Sequence, residues 1–105
     1  VPSRLATQLL AGEIDVGLIP AIEYFRNPRL RIISDACIAC EGPVWSVQAL
    51  FRKRPEDVQT LAIDEGSRTS VALTQVLLSE RYGVTPDLIN LPLDCSVEDC
   101  EQDAM

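Results

Sequence analysis

The stretch richest in reactive groups is Asp64-Glu65-Gly66-Ser67-Arg68-Thr69-Ser70, where acidic residues and a glycine give way to three hydroxyls and an arginine. A glycine between an apolar run and a helical pattern marks a strand passing into the start of a helix. At such a start the first backbone N–H groups have no partner within the helix, and the macrodipole turns its positive end outward. Ser67, Thr69 and Ser70 would add hydroxyl donors, and Arg68 a planar fork suited to a carboxylate, so the turn could hold a small organic anion. The plainer reading makes Ser67 a helix cap and Arg68 a solvated side chain. Residue types alone leave both readings open.

Other chemistries are excluded or weakened by what the chain lacks. It contains no histidine, so neither a Ser-His or Cys-His nucleophile system nor a histidine metal site can be assembled from these residues. Neither a phosphate loop with its lysine nor the three spaced glycines of a dinucleotide fingerprint occurs. Cys37 and Cys40 form C-x-x-C, and Cys95 and Cys100 follow with four residues between them. Four thiolates could hold zinc, but the second spacing is irregular and the first pair falls in an expected strand, where neighbouring side chains diverge. Small tolerated thiols are the simpler account, with metal or disulfide as alternatives. The turn Gly42-Pro43-Val44-Trp45-Ser46 delivers a hydroxyl beside an aromatic, and read alone it is packing.

With 9 Lys+Arg against 16 Asp+Glu the net charge is −7, which disfavours nucleic acid or an anionic membrane as the main partner. At 47% hydrophobic and 24% charged, with 7 Pro and 5 Gly, the 105 residues are expected to fold as one soluble unit at most. No apolar run approaches the roughly 20 residues of a membrane span. The start at Val1 and the finish at Glu101-Gln102-Asp103-Ala104-Met105 lead us to expect a piece of a longer polypeptide.

These groups need elements to position them. Leu5, Leu9 and Leu10, between Pro2-Ser3 and Ala11-Gly12, predict a short first helix. Ile14 to Ile19, closed by Pro20, predicts a buried strand, and a second short helix follows over Ala21 to Arg26 until Asn27-Pro28 breaks it. Leu30 to Ala39 and Val44 to Phe51 both read as strands. A helical turn is expected at Pro55 to Val58, and a strand over Thr60 to Asp64. The helix from Ser67 to Tyr82, stopped by Gly83, is the clearest in the chain. Asp87 to Leu91 adds a strand, and Ser96 to Ala104 an acidic helix. Such alternation predicts an α/β fold with mainly parallel strands and flanking helices.

Read in order, Val1-Pro2-Ser3-Arg4-Leu5-Ala6, Gly12-Glu13-Ile14-Asp15-Val16-Gly17-Leu18-Ile19-Pro20, Ile22-Glu23-Tyr24-Phe25, Gly42 to Ser46 and Ser67-Arg68-Thr69-Ser70-Val71-Ala72-Leu73 resemble chorismate dehydratases. These enzymes open the futalosine route to menaquinone. The likeness runs over essentially the whole chain and includes Leu77-Leu78-Ser79-Glu80-Arg81-Tyr82-Gly83. It implies a two-lobed fold like the type II periplasmic solute-binding proteins, with residues 1–41 in the first lobe, 42–60 a hinge-crossing strand and connection, and 61–105 the start of the second lobe.

The resemblance further implies a cytoplasmic hydro-lyase that takes the dianion chorismate, needs no cofactor or metal, and binds its substrate between the lobes. Ser46 then matches a substrate-contacting, catalytic serine. Ser67, Arg68, Thr69 and Ser70 match a carboxylate-binding helix start, and Pro20 and Ala21 the first-lobe loop at the cleft edge. The family's Asn-containing motif would precede Val1, so this segment is expected to be inactive alone. Competing readings are a non-catalytic solute-binding protein of the same fold, the sister enzyme that makes dihydroxynaphthoate, and a four-cysteine zinc-binding module.

Overall fold

Pro2 begins the first helix without penalty, because the N–H it lacks would have had no partner there. In the computed structural model, which describes residues 1–91 and 95–105, helix α1 spans Pro2–Leu10 and turns Ala6 inward with no exposed surface. It ends where Gly12 takes the left-handed region at φ +75°. Helix α2, Ala21–Arg26, starts directly after Pro20. It stops at Asn27, whose position before Pro28 disfavours helical backbone and which is extended at φ −127°, ψ 98°.

The parallel pair at the centre of the chain follows the expected order. Strand β1, Thr60–Ile63, passes through the Asp64–Ser67 turn into helix α3, Arg68–Tyr82, and returns as strand β2, Asp87–Asn90. Thr60 pairs with Asp87 and Ile63 with Asn90, in parallel register. Gly83 closes α3 in the left-handed region at φ +66°, the conformation glycine adopts without strain. Before β1, the expected helical turn is a 3-10 turn over Pro55–Asp57.

Beyond β1, on the side away from β2, the last residues of the chain extend the ladder. Ala62 N–H donates to Ala104 O at 2.8 Å and Ala104 N–H to Thr60 O at 3.1 Å. Leu50 and Met105 exchange bonds of 2.8 and 2.9 Å, so Leu50–Arg52 lies antiparallel outside them. Val58, Leu61, Leu78 and Ala104 form the core between this sheet and α3, with Ile63 and Val84 against it. Burying Leu61 and Leu78, each 2% exposed, contributes about 1.5–3 kcal/mol apiece.

Four expectations are corrected. Residues 14–19, the Leu30 to Ala39 run, and Val44 to Phe51 are not strands, apart from the bridge at Phe51. Ile32, Ile33, Ile38 and Trp45 are 71–92% exposed. A strand exists only as one side of a ladder, and among the described residues these segments have no neighbour to pair with until Leu50 and Phe51 meet Ala104 and Met105. The acidic helix expected over Ser96 to Ala104 is instead a 3-10 turn, Val97–Asp99, followed by the extended pairing at Ala104. Pairing with β1 buries Ala104 to 2%, which a solvent helix crowded with Glu98, Asp99, Glu101 and Asp103 would not offer. Among the described residues no helix is long and apolar enough to cross a membrane.

Candidate functional site

The turn from β1 into α3 is shaped by Asp64. Its carboxylate accepts from Gly66 N–H at 2.9 Å and from the Ser67 hydroxyl at 3.1 Å, while Ser67 N–H donates to Asp64 O at 3.0 Å. A Cβ on Gly66 would lie 3.3 Å from Asp64 Oδ1, so the missing side chain lets the carboxylate fold over the turn. Ser67 therefore does not cap α3 with its side chain, and its hydroxyl proton is committed to Asp64. Val71 N–H reaches back to Ser67 O at 2.9 Å. The amides of Arg68, Thr69 and Ser70 donate to no acceptor among the described residues, which leaves the positive end of a 15-residue helix with three unpartnered donors.

The start of α3 meets α2. Ile22 N–H donates to Thr69 Oγ1 at 3.3 Å, which sets Pro20 and Ala21 beside the turn and leaves the Thr69 hydroxyl proton free to donate. Arg68 Nη1 donates to Glu23 Oε1 at 2.9 Å, and its Nη2 to Thr7 Oγ1 at 3.1 Å. Thr7 in turn donates its own proton to Ser3 O at 3.2 Å. Glu23 is 6% exposed. Its second oxygen faces Asn27 Nδ2 at 3.4 Å, and that amide also donates to Glu23 O at 3.0 Å. The fork of Arg68 thus already holds a carboxylate, supplied by the chain, and its remaining N–H groups are left for any ligand.

The structure brings Pro20, Ala21, Ser67, Arg68, Thr69 and Ser70 to one locality. Ser46 is exposed, in an irregular segment, and makes no hydrogen bond among the described residues. A groove of about 1090 Å³ runs between the first helices and residues 29–37, lined by apolar side chains such as Leu18, Ile19, Phe25, Ile32 and Ile33. Ala21 borders it, as do Arg29 and Arg31, but none of Ser67 to Ser70 does. The cysteines stand apart from one another in environment. Cys37 and Cys40 are exposed, Cys95 is half-buried, Cys100 is buried, and all four are free thiols. Cys37 and Cys40 lie in irregular backbone rather than the strand expected for them. Among the described residues no three His, Cys, Asp or Glu side chains gather as a metal site.

Glu23, Thr7 and Asn27 were not marked by sequence reasoning. The one available signal was a carboxylate in Ala21-Ile22-Glu23-Tyr24-Phe25, between apolar neighbours on a short helix. A buried acid there demands a cation, but sequence does not name which of the chain's basic residues supplies it.

Against known proteins, residues 1–105 match the model of a family described as menaquinone biosynthesis. A protein named chorismate dehydratase from Thermus thermophilus is 32% identical over 81 residues, covering 76% of this chain and 30% of that protein. The matched part of the chain thus spans about 30% of the relative's length.

Proposed function

The chain belongs to the menaquinone biosynthesis family, and from that premise we propose that it is part of a chorismate dehydratase, a cytoplasmic enzyme of the futalosine pathway. The reading is supported by the relative from Thermus thermophilus and by the meeting of two segments singled out on other grounds, the Pro20–Ala21 loop and the Ser67–Ser70 turn. That meeting is the observation that carries it. The three unpartnered amides and the hydroxyls of Thr69 and Ser70 all belong to the first turn of α3, which also carries the Arg68 guanidinium. Such a cradle suits a carboxylate held by oriented dipoles.

In this proposal the two lobes divide as residues 1–41 and 61–105, with 42–60 crossing between them. The antiparallel docking of Leu50–Arg52 onto Asp103–Met105 fits a strand that leaves the first lobe and enters the sheet of the second. The reaction removes one water from chorismate and yields 3-(1-carboxyvinyloxy)benzoate. The ring C–H beside the ether loses its proton, the electron pair forms the new ring double bond, and hydroxide leaves from the adjacent carbon and takes up a proton. Aromatisation drives the step.

The departing proton is vinylogous to the ring carboxylate, so negative charge develops on that carboxylate in the transition state. The start of α3 and Arg68 stabilise it there without reorganising, and Ser46 orients the substrate or assists the leaving hydroxyl. No side chain of this chain is placed as the base. Either the remainder of the polypeptide or the substrate's own enolpyruvyl carboxylate fills that role.

Incubating the full-length protein with chorismate and following the aromatic enol ether by absorbance and NMR tests the reading. Ser46→Ala and Arg68→Ala are each expected to lower kcat/KM, on the order of a hundredfold for a lost transition-state donor. Unchanged kcat/KM in both refutes the roles assigned, and no aromatic product from the wild-type protein refutes the reaction. A solute-binding protein of the same fold would bind chorismate and return it unaltered.

A further inference from the structure

Glu23 is the buried charged residue of this structure: among the described residues no other charged side chain is below the surface to the same degree, at 6% exposed. Of the residues the proposed chemistry uses, its side chain bonds Arg68. A carboxylate taken out of water is costly unless a cation and further donors meet it, and here both are present. Arg68 Nη1 reaches Oε1 at 2.9 Å and Asn27 Nδ2 faces Oε2 at 3.4 Å. The effect on Arg68 matters more than the effect on Glu23. An arginine at a helix start is ordinarily a long side chain free to sample many rotamers, and a ligand must then bear the cost of ordering it.

Arg68 is anchored at both terminal nitrogens, to Glu23 on α2 and to Thr7 on α1. Thr7 gives its proton to Ser3 O, so its oxygen faces the guanidinium only as an acceptor. Two acceptors on two different helices fix the plane of the fork as well as its place. Because each anchor uses one N–H of its nitrogen, the remaining N–H groups keep one direction.

We propose that Glu23 is a positioning residue that holds the Arg68 guanidinium, with Thr7 as the second anchor, in the one orientation that serves the anion cradle at the start of α3. This rests on the reading of that turn as the carboxylate site. Glu23 does not contact the substrate; it acts through Arg68. A contrary account would have Glu23 merely cancel the charge of Arg68, and the two accounts differ in sign. If Glu23 positions, its loss weakens the use of substrate. If it only neutralises, its loss leaves a bare cation and strengthens the attraction of a dianion.

The test uses full-length protein with Glu23→Gln, which keeps size and an acceptor but removes the charge. Positioning predicts a fall in kcat/KM for chorismate of about tenfold to a hundredfold, and no further fall when Glu23→Gln is added to Arg68→Gln. A lower KM in Glu23→Gln, or an equal loss in both backgrounds, overturns the proposal. A second readout does not depend on turnover: the side-chain N–H resonances of Arg68 in ¹⁵N-labelled protein. Slow, resolved guanidinium signals in the wild type that average in Glu23→Gln support positioning, and identical signals in both overturn it. If the wild-type protein fails to convert chorismate, the functional reading falls and the resonances still decide whether Glu23 orients Arg68.

Discussion

Asp103 illustrates how much one side chain can settle. Its Oδ1 meets Lys53 Nζ at 2.7 Å, while Oδ2 accepts from Gln59 N–H at 2.9 Å and Thr60 N–H at 3.2 Å. The bond from Lys53, then those from the backbone, favour the ionised form and hold its pKa at about 2, below the ordinary 3.8. A carboxylate whose pKa is depressed by folding stabilises the folded state above its unfolded value and ceases to do so as pH falls through the folded one. The contribution of Asp103 is therefore expected in full above about pH 4 and gone near pH 2, the window between the two pKa values. Comparing denaturant unfolding of wild type and Asp103→Asn at neutral pH and near pH 2 checks this, since the gap between them should close on acidification. A gap independent of pH would contradict it. At this scale sequence showed the residue types of the α3 start but not their bonds. Ser67 was open to reading as a cap, whereas its proton goes to Asp64, and Glu23, which sequence reasoning did not mark, is the buried partner of Arg68.

The elements divide by where their partners lie in the chain. Helix α3 was legible from its spacing and from Gly83, because both signals act within one turn of backbone. Strands β1 and β2 were legible because the helix between them returns one beside the other. The apolar runs at 14–19, 30–39 and 44–51 looked no less like strands, yet among the described residues only Leu50 and Phe51, at the end of the last run, are paired, against Ala104 and Met105. Where the ladder does form, packing is tight around Leu78, which lies on α3 against Val58, Leu61 and Ala104. Leu78→Ala is expected to destabilise the protein by about 2–5 kcal/mol, the range for a leucine deleted from a closed core. Urea unfolding measures it, and a loss under 1 kcal/mol would mean that α3 is not anchored as described. The last residues invert the lesson: an acidic, helix-like string becomes extended between β1 and Leu50–Arg52, because Thr60 and Ala62 stand ready to bond Ala104.

Across the whole molecule, order is uneven. The sheet, α3 and the ion pair joining α2 to α3 form one packed region, while residues 31–50 are exposed throughout. Trp45, 92% exposed, reports on that segment. In the 105-residue chain it should emit as a water-exposed indole and be readily quenched by iodide; a blue-shifted, protected emission would show that the segment is packed. The matched part of the chain spans about 30% of its relative from Thermus thermophilus, and apolar side chains such as Ile32, Ile33 and Ile38 are the kind that a longer polypeptide covers. Periodicity and turn residues were enough for the α/β class, they left the α3 start open to reading as a place of free donors, and the family followed from the resemblance of its motifs, because each of these is written in residues close together along the chain. The pairing of Arg68 with Glu23 and Thr7, the fate of three apolar runs and the strand at Ala104 depend on residues some 40 to 60 positions apart. Their free energy comes from contacts that exist once the chain has closed on itself, and no local pattern records them.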